Sequence, residues 1–315
     1  MTATTAHTKE HLEHHHHAGE HAHGHARPIP CAPGEIRWSI KRSLWLLVMI
    51  VVVATFGIET FSLEAFAIFT LTSVITLCVG HSVGLHRGVI HRSYRTSLFL
   101  ERALVYLATL TGMGGPLALV RMHELRDYWQ NQPEAPEYYS YAHGIWRDFL
   151  WYLHYDHHPR AGEELELDLP QEVMSDRFYR FLDRTWMIQQ IPVALLFYAV
   201  AGWGGVVWGI CARVAVSSLG HWLVNYVAHT TGYQGWSIEG SGEQGRNSIL
   251  FGAISMGEGW HNNHHAWPNS ARMGLEWWEL DFGYATLWVM EKLGLVWDVQ
   301  VAGEVEPVRA IERVD

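Results

Sequence analysis

"LWLLVMIVVVATFGI", residues Leu44–Ile58, is an uncharged apolar run, and "AFAIFTLTSVITLCVG", residues Ala65–Gly80, is a second one. An amphipathic surface helix needs a polar stripe, which both runs lack. A helix that crosses about 30 Å of hydrocarbon uses about 20 residues, so each run is long enough for a membrane span once flanking residues are included. Two further runs, from about Trp186 to Ala201 and from Trp203 to about Ala228, bring the expected number of spans to four.

The basic residues beside these runs predict how the chain crosses the membrane. Lys41 and Arg42 precede the first run and arginines follow the second, whereas the loop between them, "ETFSLEA", is acidic. The positive-inside rule therefore places both termini and residues 81–185 in the cytoplasm. Because no convincing strand pattern is present, the sequence predicts an all-α polytopic membrane protein with four transmembrane helices and a cytoplasmic helical cap.

Composition divides the chain into three regions. Residues 1–35 form a low-complexity tail with nine histidines, which we expect to be disordered and either a weak metal binder or without a role. Residues 36–300 are expected to form the membrane domain and its cap, and residues 301–315 a C-terminal tail. The net charge of −10 argues against a nucleic-acid partner, and three scattered cysteines predict no structural disulfide.

The thirteen histidines outside the tail indicate a metal site, because imidazole is a common ligand for iron, zinc and copper. On an α-helix, positions i, i+3 and i+4 share one face, so His261, His264 and His265 could serve two adjacent metals. His86 and His91 are five residues apart and diverge by about 140° on an α-helix. They are therefore expected to reach two different metals or to flank a cluster.

Two other groupings follow recognisable spacings. His221, Asn225 and His229 are four residues apart and form one helical stripe at the end of the fourth apolar run. The pattern His-x-x-His-His occurs twice, as "HNNHH" at 261–265 and as "HYDHH" at 154–158. Either copy could be a ligand motif when the spacing alone is considered.

Three motifs together resemble the first histidine box, the span-four element and the third histidine box of membrane fatty-acid (acyl-CoA) desaturases. They are "GLHRGVIHRSYRTS", "HWLVNYVAH" and "EGWHNNHHAWP", and the likeness extends over about residues 40–300. The resemblance implies a four-span helical scaffold that holds two Fe in a non-haem di-iron centre. It also implies a set of metal ligands in this chain: His86, His91, His123, Asn225, His229, His261, His264 and His265.

The second histidine box departs from the family pattern. "GGPLALVRMHELRDYWQ" matches the stretch that carries this box, and His123 stands at its first histidine position. The next two ligand positions hold Arg126 and Asp127. An arginine cannot ligate a metal because its guanidinium stays charged, whereas a carboxylate can join histidines around iron.

Several residues could make up for the two missing ligands. The carboxylate of Asp127 is one turn from His123, and His81 and His221 are additional to the family pattern at a suitable membrane depth. A weaker alternative is that "HYDHH" folds back over the site with its three histidines as ligands: His154, His157 and His158.

The resemblance implies an O2-dependent desaturase that introduces a double bond into an acyl chain carried by CoA, a carrier protein or a lipid. Related outcomes are hydroxylation, acetylenation or decarboxylation, and a non-catalytic metal- or lipid-binding protein is a further alternative. Trp222 and Tyr226 are candidates for the substrate tunnel, and Arg126 could pair with Asp127 or with an anionic substrate. No haem, flavin or iron–sulfur motif is present, so a ferredoxin- or cytochrome b5-type donor is expected. The expected location is the bilayer of a bacterial inner membrane.

Overall fold

The computed structural model describes residues 35–158, 167 and 169–314, and most of them are helical. Apart from Glu35, the predicted N-terminal tail lies outside the described residues. Two long helices contain π-wound segments, π1 and π2. The helices in chain order are α1 (Ile40–Phe56), α2 (Leu63–Val74), π1 (Ile75–Ile90), α3 (Leu98–Thr109), α4 (Pro116–Gln130), α5 (Ile145–His154), α6 (Gln171–Ser175), α7 (Arg177–Thr185), α8 (Gln190–Val206), π2 (Val207–Ala212), α9 (Arg213–Thr230), α10 (Ile249–Ile254), α11 (His261–Ala266) and α12 (Phe282–Lys292).

The prediction of a purely α-helical chain is wrong in detail, because short strands pair into three two-stranded antiparallel sheets. The partners are β1 (Glu35–Trp38) with β3 (Tyr155–His158), β2 (Arg95–Thr96) with β5 (Val296–Trp297), and β4 (Trp236–Ile238) with β6 (Ile311–Arg313). Strands of two to four residues are too short to show an alternating pattern in the sequence. β6 lies in the region predicted as a C-terminal tail, and it pairs Ile311 with Ile238.

Two helical stretches within the described residues are long and apolar enough to cross a membrane, Leu63–Ile90 and Gln190–Thr230. Much of their apolar surface faces outward; Leu195 and Val200 are each 66% exposed. Such exposed apolar surface is unfavourable in water and favourable in lipid. The chain is therefore suited to association with a membrane.

The second of these helices is interrupted where the third and fourth apolar runs meet. Ala201 and Gly202 have non-helical backbone angles, and Gly202 has a φ of 56°, a conformation that glycine adopts without strain. Beyond this point Gly205 packs directly on the backbone of Phe197. Residues eight apart on a straight helix are separated by about 12 Å, so the chain folds back on itself here.

α3 packs along π1 at very short distance, because two glycines of π1 face it. A Cβ on Gly80 would lie 2.5 Å from the backbone nitrogen of Ala108, and one on Gly84 would lie 2.5 Å from the Cβ of Leu104. Leu85 and Val89 continue this contact in a buried cluster with α3, α4 and α7. The tight packing fixes the position of π1, which carries the first histidines.

Candidate metal centre

Four buried or half-buried imidazoles form the first histidine group: His86, His91, His123 and His264. They come from π1, its C-terminal end, α4 and α11, and their ligand nitrogens lie within 4.8 Å of one another. The Nε2 atoms of His86 and His91 are 3.2 Å apart, and those of His91 and His123 are 2.8 Å apart. Three segments that are distant in sequence thus direct four nitrogens to a single point.

The π winding explains how His86 and His91 join the same group. The backbone N–H of His91 donates to the carbonyl of His86 at 3.0 Å, five residues back instead of four. One π turn therefore aligns residues five apart on the same face. The prediction that these two side chains diverge by about 140° is wrong, because it assumed the pitch of an α-helix.

The second histidine group consists of His229 on α9 and of His261 and His265 on α11. The Nε2 atoms of His261 and His265 are 3.0 Å apart. α11 thus directs His264 to the first group and the two other histidines to the second. The three histidines of the "HNNHH" helix are thus divided between two histidine groups.

The chemistry of these nitrogens fits bound cations. Burial lowers the pKa of His91 and His264 well below the usual value. It also lowers the pKa of His123 to about 4, although the negative charge of Asp127 acts to raise it. The imidazoles are therefore neutral and offer lone pairs. The Nδ1–H of His229 donates to the carbonyl of Asn225 at 2.9 Å, and its buried Nε2 has no hydrogen-bond partner among the described residues. A metal ion would satisfy this atom.

Glu258 supports the first group, and the sequence reasoning missed it. Its carboxylate lies 2.6 Å from Nδ1 of His86 and 2.7 Å from Nη1 of the fully buried Arg87, which also pairs with Asp281 at 3.0 Å. Burial alone would raise the pKa of Glu258, but His86 and Arg87 hold this pKa well below its usual range. An ionised carboxylate on Nδ1 leaves Nε2 of His86 free for a metal. The available sequence signal was a glutamate three residues before His261.

The two asparagines of "HNNHH" fix the position of α11. The side-chain oxygen of Asn262 accepts from the backbone N–H groups of Gly235 and Trp236, both at 2.8 Å. The side-chain nitrogen of Asn263 donates to Glu279 at 2.9 Å. These bonds hold in place the short helix that contributes to both histidine groups.

Asp127 and Arg126, which replace the two expected histidines, point in different directions. One carboxylate oxygen of Asp127 lies 3.4 Å from Nε2 of His123, and its charge also acts on the buried His265 of the second group. Arg126 instead stacks on the ring of Tyr152 at 4.6 Å. The suggested pairing of Arg126 with Asp127 is wrong, because successive helical residues do not face each other and no such ion pair occurs among the described residues.

Three other predicted ligands lie beside the groups. The rings of His81 and His221 are 4.9 Å apart, and His81 stacks on His86 at 6.5 Å, but neither belongs to a histidine group of the described residues. The side-chain nitrogen of Asn225 donates to the carbonyl of His221 at 2.9 Å and to the hydroxyl of Tyr152 at 3.3 Å. These three side chains line one cavity together with His86, and none of them joins a histidine group of the described residues.

The histidines of "HYDHH" have structural partners elsewhere. Nδ1 of His154 is 3.0 Å from the hydroxyl of Ser43, and Nδ1 of His157 is 3.0 Å from that of Tyr139. His157 and His158 belong to β3, which pairs with β1. None of the three joins either histidine group among the described residues, so the weaker alternative finds no geometric basis.

A cavity of about 330 Å³ adjoins both histidine groups. His86, His123 and His261 line it, together with apolar side chains that include Leu119 and Val224. Arg126, the suggested partner of an anionic substrate, also lines it.

Trp222 and Tyr226, the candidates for the substrate tunnel, do not line this cavity. α9 presents a different face to it, with His221 and Asn225. Trp222 instead donates from Nε1 to Asp148 at 2.7 Å, and Tyr226 packs against Trp222. Their positions, one residue further along the helix, turn them about 100° away from the cavity.

These features define a helical, histidine-rich protein with two adjacent histidine groups that could hold metal ions and helices apolar enough for a bilayer. The model of the fatty acid desaturase family matches residues 64–298. The chain therefore belongs to the fatty acid desaturase family, and it is an oxidoreductase that acts on fatty acyl chains. This finding confirms the resemblance of the three histidine motifs.

Related proteins that are named as desaturases match most of this chain. The sn-1 stearoyl-lipid 9-desaturase of Anabaena variabilis is 34% identical over 78% of this chain and 87% of its own length. The sn-1 stearoyl-lipid 9-desaturase of a Synechocystis species is 31% identical, over 78% of this chain and 75% of its own. The acyl-CoA 5-desaturase of Anemone leveillei is also 31% identical, over the same shares.

Proposed function

We propose that this desaturase introduces a double bond into an acyl chain in an O2-dependent reaction at two irons, one held by each histidine group. The observation that carries the proposal is the adjacency of the two groups on the wall of one cavity. Related proteins named for stearoyl-lipid and acyl-CoA desaturation support a lipid- or CoA-linked acyl chain as the substrate.

The residues of the chain have distinct tasks in this reaction. When bound, the irons supply O2 activation and hydrogen removal from unactivated C–H bonds, which acid–base groups cannot perform. The histidines hold the metals, and the charge of Glu258 keeps His86 oriented toward them. The apolar wall with Leu119 and Val224 positions the chain and keeps water away from the reacting carbons.

The proposed topology has four spans with both termini in the cytoplasm of a bacterial cell, in the inner membrane. The reversal at Ala201–Gly202 supports two spans within Gln190–Thr230, and α1 and Leu63–Ile90 provide the other two. The basic residues before α1 and after π1 support the cytoplasmic side for the histidine groups. Because the sequence has no motif for a second redox cofactor, electrons come from a separate ferredoxin- or cytochrome b5-type protein.

The proposed ligand set includes the carboxylate of Asp127 in addition to the seven grouped histidines. The second group has three histidines, and Asp127 is the described carboxylate whose charge acts on both His123 and His265. Iron binds carboxylate and imidazole together readily. Asn225, His81 and His221 are proposed to shape the surroundings of the metals through hydrogen bonds and ring contacts.

Lipid profiling of a host that expresses the protein tests the function. The wild type should add a monounsaturated acyl chain to the host lipids, and His264→Gln should abolish this product. His154→Gln is the matched control, because His154 lies outside both groups, and it should retain the product. A hydroxylated, acetylenic or shortened chain would indicate a different oxidation. Unchanged lipids despite bound iron and an added donor would indicate a non-catalytic protein.

Iron binding tests the role of Asp127. Removal of its charge in Asp127→Asn should weaken binding of iron by about 10- to 100-fold, as loss of a supporting carboxylate does in other metal sites. Iron per chain after challenge with a chelator, together with the Mössbauer spectrum, is the measurement. The exposed carboxylate in Asp298→Asn is the control. Equal iron retention and an unchanged spectrum in Asp127→Asn would rule out the carboxylate as a ligand.

A further inference from the structure

Arg126 places a buried positive charge on the wall of the cavity. Its side chain lies over the rings of Tyr152 at 4.6 Å and Tyr139 at 5.9 Å, and its Nη1 is 3.3 Å from the hydroxyl of Tyr141. The residue is only 8% exposed, and its Nε has no hydrogen-bond partner among the described residues. Aromatic faces offset only part of the cost of burying a guanidinium, so the charge needs a further partner.

The two carboxylates that line the cavity, Glu258 and Asp156, are already paired with Arg87 and Arg42. Arg42 also lines the cavity and is already paired with Asp156 at 3.0 Å, so the charges of these two residues offset each other. Lys41 lies on the same wall and is exposed. Within the part of the chain that the structure describes, no carboxylate comes within ion-pair distance of Arg126.

The buried carboxylate whose charge acts on Arg126 through space is that of Asp148, and it is engaged elsewhere. One of its oxygens lies 2.9 Å from Nε2 of His143, and the other accepts from Nε1 of Trp222 at 2.7 Å. Asp148 is not part of the cavity wall. It therefore cannot occupy the space in front of the guanidinium.

We propose that Arg126 binds an oxyanion of the acyl substrate within the cavity. The oxyanion is the carboxylate of a free fatty acid or a phosphate of an acyl-CoA or lipid head group. A guanidinium recognises both, because its planar fork of N–H donors matches carboxylate and phosphate oxygens. The inference rests on the proposed function, since it takes the cavity to be the acyl site, and it assigns Arg126 to recognition of the substrate instead of the metal.

Competition binding to the purified full-length protein tests the inference without turnover. Labelled palmitate bound to the protein in nanodiscs is displaced at alkaline pH by palmitate, by palmitoyl-CoA or by uncharged methyl palmitate. The wild type should bind at least one of the anionic ligands about tenfold more tightly than the methyl ester, a ratio typical of one charged hydrogen-bonded contact. Arg126→Gln should reduce this ratio to near one, and Arg126→Lys should retain part of it.

Arg121→Gln is the matched control, because Arg121 is exposed on the same helix and does not line the cavity. Methyl palmitate binding shows that each variant retains the cavity. A preference for palmitate over the methyl ester would identify a carboxylate as the group that Arg126 binds. A preference for palmitoyl-CoA alone would identify a phosphate, and both results support the inference. An unchanged ratio in Arg126→Gln, or an equal loss in Arg121→Gln, would overturn it even if the lipid profile shows desaturation.

Discussion

Glu258 contacts several polar and charged side chains beside the first histidine group. Its carboxylate contacts His86, Arg87 and the hydroxyl of Ser82, at 2.6, 2.7 and 2.5 Å. Arg87 is completely buried, and its charge is balanced by Glu258 and Asp281 together. Loss of one partner from such a network leaves a buried charge only partly compensated.

Glu258→Gln should therefore lower the affinity for iron by about 10- to 100-fold, because the support of His86 is lost. Competition with a chelator of known affinity measures the change. The matched control is Glu137→Gln, since Glu137 pairs with Arg147 at the surface and should not alter iron binding. Equal affinities of wild type and Glu258→Gln would contradict the supporting role.

Single residues differ in how far the sequence reveals them. The seven grouped histidines were expected from the resemblance of their motifs to those of the desaturase family. Glu258 could not, because its contact with His86 joins residues 172 positions apart once the chain has folded. The orientation of Trp222 was likewise invisible, since it depends on which face of α9 meets the cavity.

At the level of elements, the contact between π1 and α3 depends on the absence of a side chain at Gly80. A methyl group there would lie 2.5 Å from the backbone of Ala108. Backbone atoms cannot move aside as the end of a flexible side chain can. α3 and π1 would therefore have to separate, and π1 carries His86.

Gly80→Ala should destabilise the protein by about 1–3 kcal/mol, the usual cost of overpacking. Gly220→Ala is the control, because a Cβ on this helical glycine meets no other atom within 4 Å. That substitution should instead stabilise the helix by about 0.4–1 kcal/mol. Thermal unfolding in detergent, followed by circular dichroism, measures both. A Gly80→Ala protein as stable as Gly220→Ala would show that the two helices are not in tight contact.

The helices were predictable from the sequence, whereas their winding and the strands were not. Long uncharged apolar runs specify helices in a membrane protein, and these runs coincide with α1, α2, α8 and α9. The π winding of residues 75–90 leaves the composition unchanged and shifts only the hydrogen bonding by one residue. The strands pair over two to four residues. Paired residues are 73 to 77 positions apart in β4 with β6 and 200 to 202 positions apart in β2 with β5.

For the molecule as a whole, the buried histidines make the metal-free fold sensitive to acid. Burial lowers the pKa of His123 to about 4, from 6.5 when unfolded, and it also lowers the pKa of His91, His261 and His264. Between these values the unfolded chain binds protons that the folded chain does not. The stability is therefore full above about pH 6.5 and is lost as the pH falls toward 4.

Unfolding of the metal-free protein by denaturant at a series of pH values checks this expectation. The midpoint should decline steadily from about pH 6.5 to 4. His123→Gln should show a shallower decline, because one of the contributing groups is gone. A midpoint that stays constant over this interval in the wild type would contradict the expectation.

The π winding that unites His86 and His91 also limits how this motif can be transplanted. A protein engineer who copies "GLHRGVIH" into an ordinary α-helix would turn the two imidazoles about 140° apart and obtain no shared ligand point. A successful graft has to carry the wider turn with it, including the carbonyl of His86 that receives the N–H of His91. Alternatively, the host helix needs the two histidines four residues apart, with one intervening residue deleted.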